Sequence, residues 1–134
     1  MKKDGFTLIE IIMAVIVIGI LASLAAPRYI RLIEKSRSAE ARRVLGVIRE
    51  AELAYFFEFD TYTSSMTLLR LPEIPSSACN ASYYFRYVLS GVSAAGFTGT
   101  AMRCSAGGKE PQTAVNYNIT INQAGALGGT AGFL

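Results

Sequence analysis

Few residues in this sequence could carry chemistry, and their spacing limits what that chemistry is. One carboxylate, Glu10, stands alone in an apolar run, Cys79 and Cys104 are the only thiols, and there is no His. Without His, most metal-ligand sets and the nucleophile–base pairs of hydrolases have no candidate members. Residues 60–134 carry no cluster of acids that could converge, so we expect no catalytic residue, no metal and no cofactor. A charge near the centre of a bilayer costs about 2.5–3.5 kcal/mol on insertion scales, so an intramembrane carboxylate usually has a partner and a task. Glu10 lies close to the start of its run, where the cost is smaller.

The element that positions Glu10 is the run itself. Phe6 to Ala26 is a 21-residue stretch whose only formal charge is Glu10. As a helix it spans roughly 31 Å, the thickness of a hydrocarbon core. The other residues have the Gly, Ser, Thr and charged content of a small soluble head, and 134 residues leave room for one such domain. Ala22 to Ala26 could pass as a secretory cleavage site. The short basic segment 1–5, ending in Gly5, fits better as a tag removed ahead of a retained span. Net charge is +3, and losing residues 1–5, with two Lys and one Asp, leaves +2, so no nucleic-acid partner is implied.

Pro27 ends the apolar run and removes one helical hydrogen bond; with Gly19 it brackets the weakest part of the helix. From Arg28 to Phe59 apolar residues recur at Ile30, Ile33, Ala41, Val44, Ile48, Ala51, Tyr55 and Phe59, which predicts one helical stripe against the head. Glu34–Arg37 and Glu40–Arg43 read as a solvated face or as charge matching between copies. The cluster Tyr55, Phe56, Phe57, Phe59 and Tyr62 reads as core and interface packing. Residues 60–82 form a connecting loop, and residues 83–122 an antiparallel sheet with strands near 83–90, 97–103 and 117–122. Residues 123–134 read as a flexible tail in which Phe133 and Leu134 could dock back. If a hairpin loop over 91–96 pairs Ser90 with Phe97, Cys79 and Cys104 come within reach of a disulfide; two unpaired cysteines are the alternative. Asn80-Ala81-Ser82 and Asn118-Ile119-Thr120 match the N-glycosylation acceptor pattern, which is short enough to arise by chance.

Residues 1–10, Met-Lys-Lys-Asp-Gly-Phe-Thr-Leu-Ile-Glu, resemble the processing site of type IV prepilins and type II secretion pseudopilins, and the apolar run and Pro27 follow in the family's register. The resemblance is close over the first 30 residues and looser to Phe59. It implies an α+β pilin fold, a long N-terminal helix on a small antiparallel sheet, divided into a leader (1–5), a membrane or filament-core helix (6–27), an amphipathic helix (28–59) and a head (60–134). It implies cleavage between Gly5 and Phe6 by prepilin peptidase and N-methylation of Phe6. Glu10 would take the Phe6 amine of a neighbouring subunit, residues 19–27 would extend in the filament, and the cysteine pair would be bridged. The implied partners are further copies of the chain, the peptidase, the inner-membrane assembly platform and minor pilins. Before assembly the partner would be the membrane, with the head outside. The implied role is a pilus subunit for adhesion, twitching motility or DNA uptake, or alternatively a pseudopilin of a periplasmic pseudopilus. The head has no acidic calcium loop after Cys104, which favours the pilus. Arg28, Arg31, Lys35, Arg37, Arg42 and Arg43 outnumber Lys2 and Lys3, so a charge count alone puts the head inside; the leader and the cysteines oppose it.

Overall fold

The computed structural model describes residues 5–111 and 115–133. The leader residues Lys2, Lys3 and Asp4, and the docking of Leu134, lie outside the described residues. Helix α1 (Leu8–Phe59) is followed by a short 3-10 turn (Met66–Leu69) and by strands β1 (Phe85–Ser93), β2 (Gly96–Arg103), β3 (Asn118–Asn122) and β4 (Leu127–Gly129). The fold is α+β, with a long helix and a small antiparallel sheet. The chain divides into two compact units, one ending at Glu34 and the other beginning at Lys35.

In the first unit α1 runs without interruption through Gly19 and Pro27, and every residue from Gly5 to Leu32 is exposed. This part of the helix is long and apolar enough to cross a membrane: its most apolar 18-residue window has a mean hydropathy of 2.7 and none of it is buried. Pro27 therefore does not break the helix in the single chain.

In the second unit the buried stripe of α1 is Ser38, Ala41, Leu45, Ile48 and Glu52, at steps of three and four. The expected stripe is corrected at its edges. Ala41 and Ile48 are core, Val44, Ala51 and Tyr55 are half-buried, and Ile30 and Phe59 are more than half exposed. The face is rotated towards Leu45 because two polar residues, Ser38 and Glu52, take positions on it. Ser38 meets its own need by donating to the Lys35 carbonyl at 2.6 Å.

The sheet is a meander, β1-β2-β3-β4, every neighbour antiparallel. Alternate residues Phe85, Tyr87 and Leu89 of β1, and Ile119 and Ile121 of β3, point into the core with the α1 stripe. Gly99 of β2 is what lets the helix approach: a Cβ there would stand 3.3 Å from Leu45 Cδ2 and from Ile121 Cγ2. Two expectations about the sheet are corrected. The predicted loop over 91–96 shrinks to a turn at Ala94 and Ala95, with a register shift between Ser90 and Ser93, so Ser90 pairs with Thr98. Gly91, at φ +59°, supplies the left-handed residue that such a bulge needs. The segment expected to be a flexible tail contains β4, held to β3 by the pairs Ile119–Gly129, Thr120–Gly128 and Ile121–Leu127.

Candidate assembly site

The candidate site begins at the N-terminus of α1. The Thr7 carbonyl accepts the first helical bond, from Ile11 N–H at 3.4 Å, which makes Thr7 the N-cap. Its hydroxyl accepts from Glu10 N–H at 3.4 Å and donates to Glu10 Oε2 at 2.8 Å, and the Thr7 backbone N–H donates to the same oxygen at 3.0 Å. This is a capping box, Thr-x-x-Glu, which satisfies two donors that a helix start leaves open. The carboxylate is thus oriented within its own first turn. The sequence signal for this capping role is the three-residue spacing of Thr7 and Glu10 just ahead of an apolar run.

Apart from Thr7 and Ser23, the run around this carboxylate, residues 6–26, carries no polar side chain. Phe6 is 81% exposed and Leu8 78%, and the large residues from Ile9 to Leu24 are all about half exposed or more. A patch of this extent in water is a liability unless another surface covers it. Gly19 and Pro27 stand in the same run. A Cβ at Gly19 would meet nothing within 4 Å, so within the chain its missing side chain serves no packing purpose and costs the helix about 1 kcal/mol relative to Ala. Pro27 has no N–H for the carbonyl of Ser23, and the Ser23 hydroxyl donates back to the Ile20 carbonyl at 2.7 Å. Pro27 thus leaves the Ser23 carbonyl without its helical donor, and the helix stays intact around it.

In the head, Cys79 and Cys104 form a disulfide, with Cα atoms 5.8 Å apart. The β1–β2 hairpin places Cys104 there, because its N–H donates to the Tyr84 carbonyl at 2.9 Å. Beside it lies a cationic knot that sequence reasoning did not find. Arg103 is buried and donates to the carbonyls of Tyr84 (3.0 Å), Cys104 (2.9 Å) and Pro111 (3.1 Å). The Tyr84 ring has Arg37, Arg103 and Lys109 about 5 Å from its centroid. Glu40 accepts from Tyr84 N–H at 2.9 Å, so it serves the sheet, and Arg37 reaches the Pro111 carbonyl at 3.4 Å.

Two more arginines of α1 hold the tail. Arg49 Nε donates to the Gln123 carbonyl at 2.9 Å and Arg42 to the Phe133 carbonyl at 3.3 Å, while the Phe133 ring stacks on Tyr117 with centroids 4.0 Å apart. Glu52 is fully buried; Oε2 accepts Thr63 N–H at 3.0 Å, and Oε1 has no hydrogen-bond partner among the described residues. Burial pushes its carboxyl above the usual carboxylate range, against a smaller opposing effect of the Thr63 bond. Burial likewise raises the Tyr83 hydroxyl to about 12. Of the aromatic cluster, Phe56 stacks on Tyr62, whose ring meets Phe97 of the core at a tilt, whereas Phe57 is 86% exposed.

Comparison with known proteins points to the same segment. The model of a prokaryotic N-terminal methylation motif matches residues 1–26. The type IV major pilin protein PilA of Myxococcus xanthus is 41% identical over 62 residues, 46% of this chain and 28% of that protein. The type IV narrow pilus major component PilA5 of Thermus thermophilus is 35% identical over 51 residues, 38% of this chain and 44% of the relative. The chain matches less than half the length of either. With the methylation motif at its start, the long apolar helix behind it and the small antiparallel sheet, the chain is similar to type IV pilins over less than half of its own length.

Proposed function

We propose that this chain is a structural subunit of a type IV pilus, cut between Gly5 and Phe6 by prepilin peptidase, methylated on Phe6 and polymerised through α1. The observation that carries the reading is the oriented carboxylate of Glu10 at the head of an entirely exposed apolar helix. Cleavage creates an α-amino group at Phe6 with a reference pKa of about 7.7–8, largely cationic at neutral pH. In a bundle of apolar helices that cation and Glu10 of a neighbour have no better partner than each other, so the pair fixes axial register. Glu10 gives up part of its capping bond with Thr7, worth about 1 kcal/mol, for this charged one. The apolar faces between residues 6 and 27 supply the bulk of the cohesion. Residues 19–27 are the part that lengthens under load, because Pro27 has already removed one helical bond there. Before assembly the subunit waits in the inner membrane with its head outside, and the assembly platform and minor pilins draw it into the filament. Adhesion, twitching motility and DNA uptake are the roles open to such a filament. Both named relatives are pilus components, which supports the pilus over a secretion pseudopilus.

Removing one partner of a buried charge pair costs about 3–5 kcal/mol, or two to three orders of magnitude in an equilibrium constant. Glu10→Ala should therefore abolish surface filaments while the subunit stays in the membrane at normal abundance. Thr7→Val, which leaves the carboxylate but removes its hydroxyl partner, should reduce filaments without abolishing them. Filaments of normal number and length in Glu10→Ala would refute the pairing.

A further inference from the structure

The reading above leaves free subunits in a membrane, and the following inference rests on it. Past the apolar run, six of the seven basic residues of α1 fall into two groups, and the seventh, Arg43, lies exposed beside Tyr83 and Glu73. Arg37, Arg42 and Arg49 are used by the head, on the carbonyls of Pro111, Phe133 and Gln123. Arg28, Arg31 and Lys35 are exposed, and among the described residues their side chains make no hydrogen bond or ion pair. A step of three residues places Arg28 and Arg31 on one face of the helix, about 60° apart; Lys35 already belongs to the second unit. The one acid between Glu10 and Glu40 is Glu34, and it is only 2% exposed, so nothing on the surface of this segment offsets them.

Their distance from the span is the second part of the argument. At about 1.5 Å per residue, Arg28 and Arg31 lie roughly 3 and 7.5 Å beyond Ala26. The polar layer of a bilayer is roughly 5–7 Å deep on each side. Arg28 and Arg31 therefore lie at phosphate level, where their long stems let the guanidinium groups adjust in depth. Tyr29, 64% exposed, is the residue type enriched at that same boundary.

We propose that Arg28 and Arg31 form a docking face for anionic phospholipid headgroups in the leaflet on the side of the head. The excess of positive charge beyond the span then has a use that does not require the head to lie inside. The face fixes how deep a free subunit sits, and a subunit entering a filament must exchange lipid phosphates for contacts with other copies.

The test uses the full chain purified in mild detergent and mixed with equimolar phosphatidylglycerol and phosphatidylcholine, with retained lipids counted by native mass spectrometry. Each basic residue at an anionic surface is worth roughly a fivefold preference. We expect phosphatidylglycerol adducts to exceed phosphatidylcholine adducts at least fivefold. The variant R28Q/R31Q should bring the ratio close to one. The variant R70Q/R86Q, with the same loss of charge on the head, should keep the wild-type ratio, and a large excess of inorganic phosphate should not displace the lipid. Equal adducts in the wild type, an unchanged ratio in the first variant, or displacement by phosphate would each overturn the proposal. Flotation with vesicles of pure phosphatidylcholine separates the two levels of the argument. A chain that floats without lipid preference defeats this inference alone, and one that does not float defeats the membrane reading with it.

Discussion

Glu52 has one carboxylate oxygen on Thr63 N–H and the other buried with no partner among the described residues. A carboxyl whose folded-state pKa is raised contributes stability that is complete below its ordinary value near 4.5 and is lost as pH rises through the raised value. Glu52→Gln keeps an acceptor for Thr63 N–H and removes the charge. Thermal melts of the full chain in detergent should show the variant matching wild type near pH 4 and gaining on it as pH rises, by up to about 1.4 kcal/mol per pH unit within that window, then levelling off. A constant difference across pH 4–8 would mean that Glu52 does not titrate with folding. Glu52 was not legible in the sequence, because a charge at the edge of an apolar stripe reads as the stripe's boundary, and only packing reveals that it lies inside. Glu10 was legible for the opposite reason: a lone charge in an apolar run stands out wherever the fold puts it.

At the level of elements, the disulfide and β4 hold the two ends of the sheet. Cys79 and Cys104 are 25 residues apart, and closing such a loop contributes about 3.5 kcal/mol on the chain-entropy model. Reduction, or Cys79→Ser with Cys104→Ser, should lower the melting temperature of the head by roughly 15–25 °C; a melt unmoved by reductant would contradict this. Strand β4 depends on Gly129, whose φ is +127° and where a Cβ would lie 2.3 Å from the Asn118 carbonyl oxygen. Gly129→Ala should cost about 1–3 kcal/mol. It should release the amides of Leu127 to Gly129 to hydrogen exchange while β1 and β2 keep their protection, and unchanged exchange would refute it. The span, the long helix and the first three strands could be read from sequence because period and β-branched or aromatic content mark them locally. Leu127-Gly128-Gly129 has no such mark. It becomes a strand through tertiary contacts: pairing with β3, the Thr130 N–H on the Asn118 carbonyl at 2.9 Å, and the Arg49 bond to Gln123.

At the scale of the whole molecule, an exposed apolar helix and a cross-linked head answer different demands. The head is stable on internal contacts: a buried arginine knot, a disulfide and a core shared by helix and sheet. The first unit has no internal core, so its stability must come from a membrane or from other copies of itself. That asymmetry is the physical content of the functional reading, and it was legible at the first pass because hydropathy shows it directly. The account is tested most directly by mass spectrometry of filaments sheared from the cell surface. It predicts an abundant chain that begins at N-methylated Phe6 and lacks residues 1–5. Sheared filaments without this chain, or a cellular pool that retains residues 1–5 throughout, would contradict it.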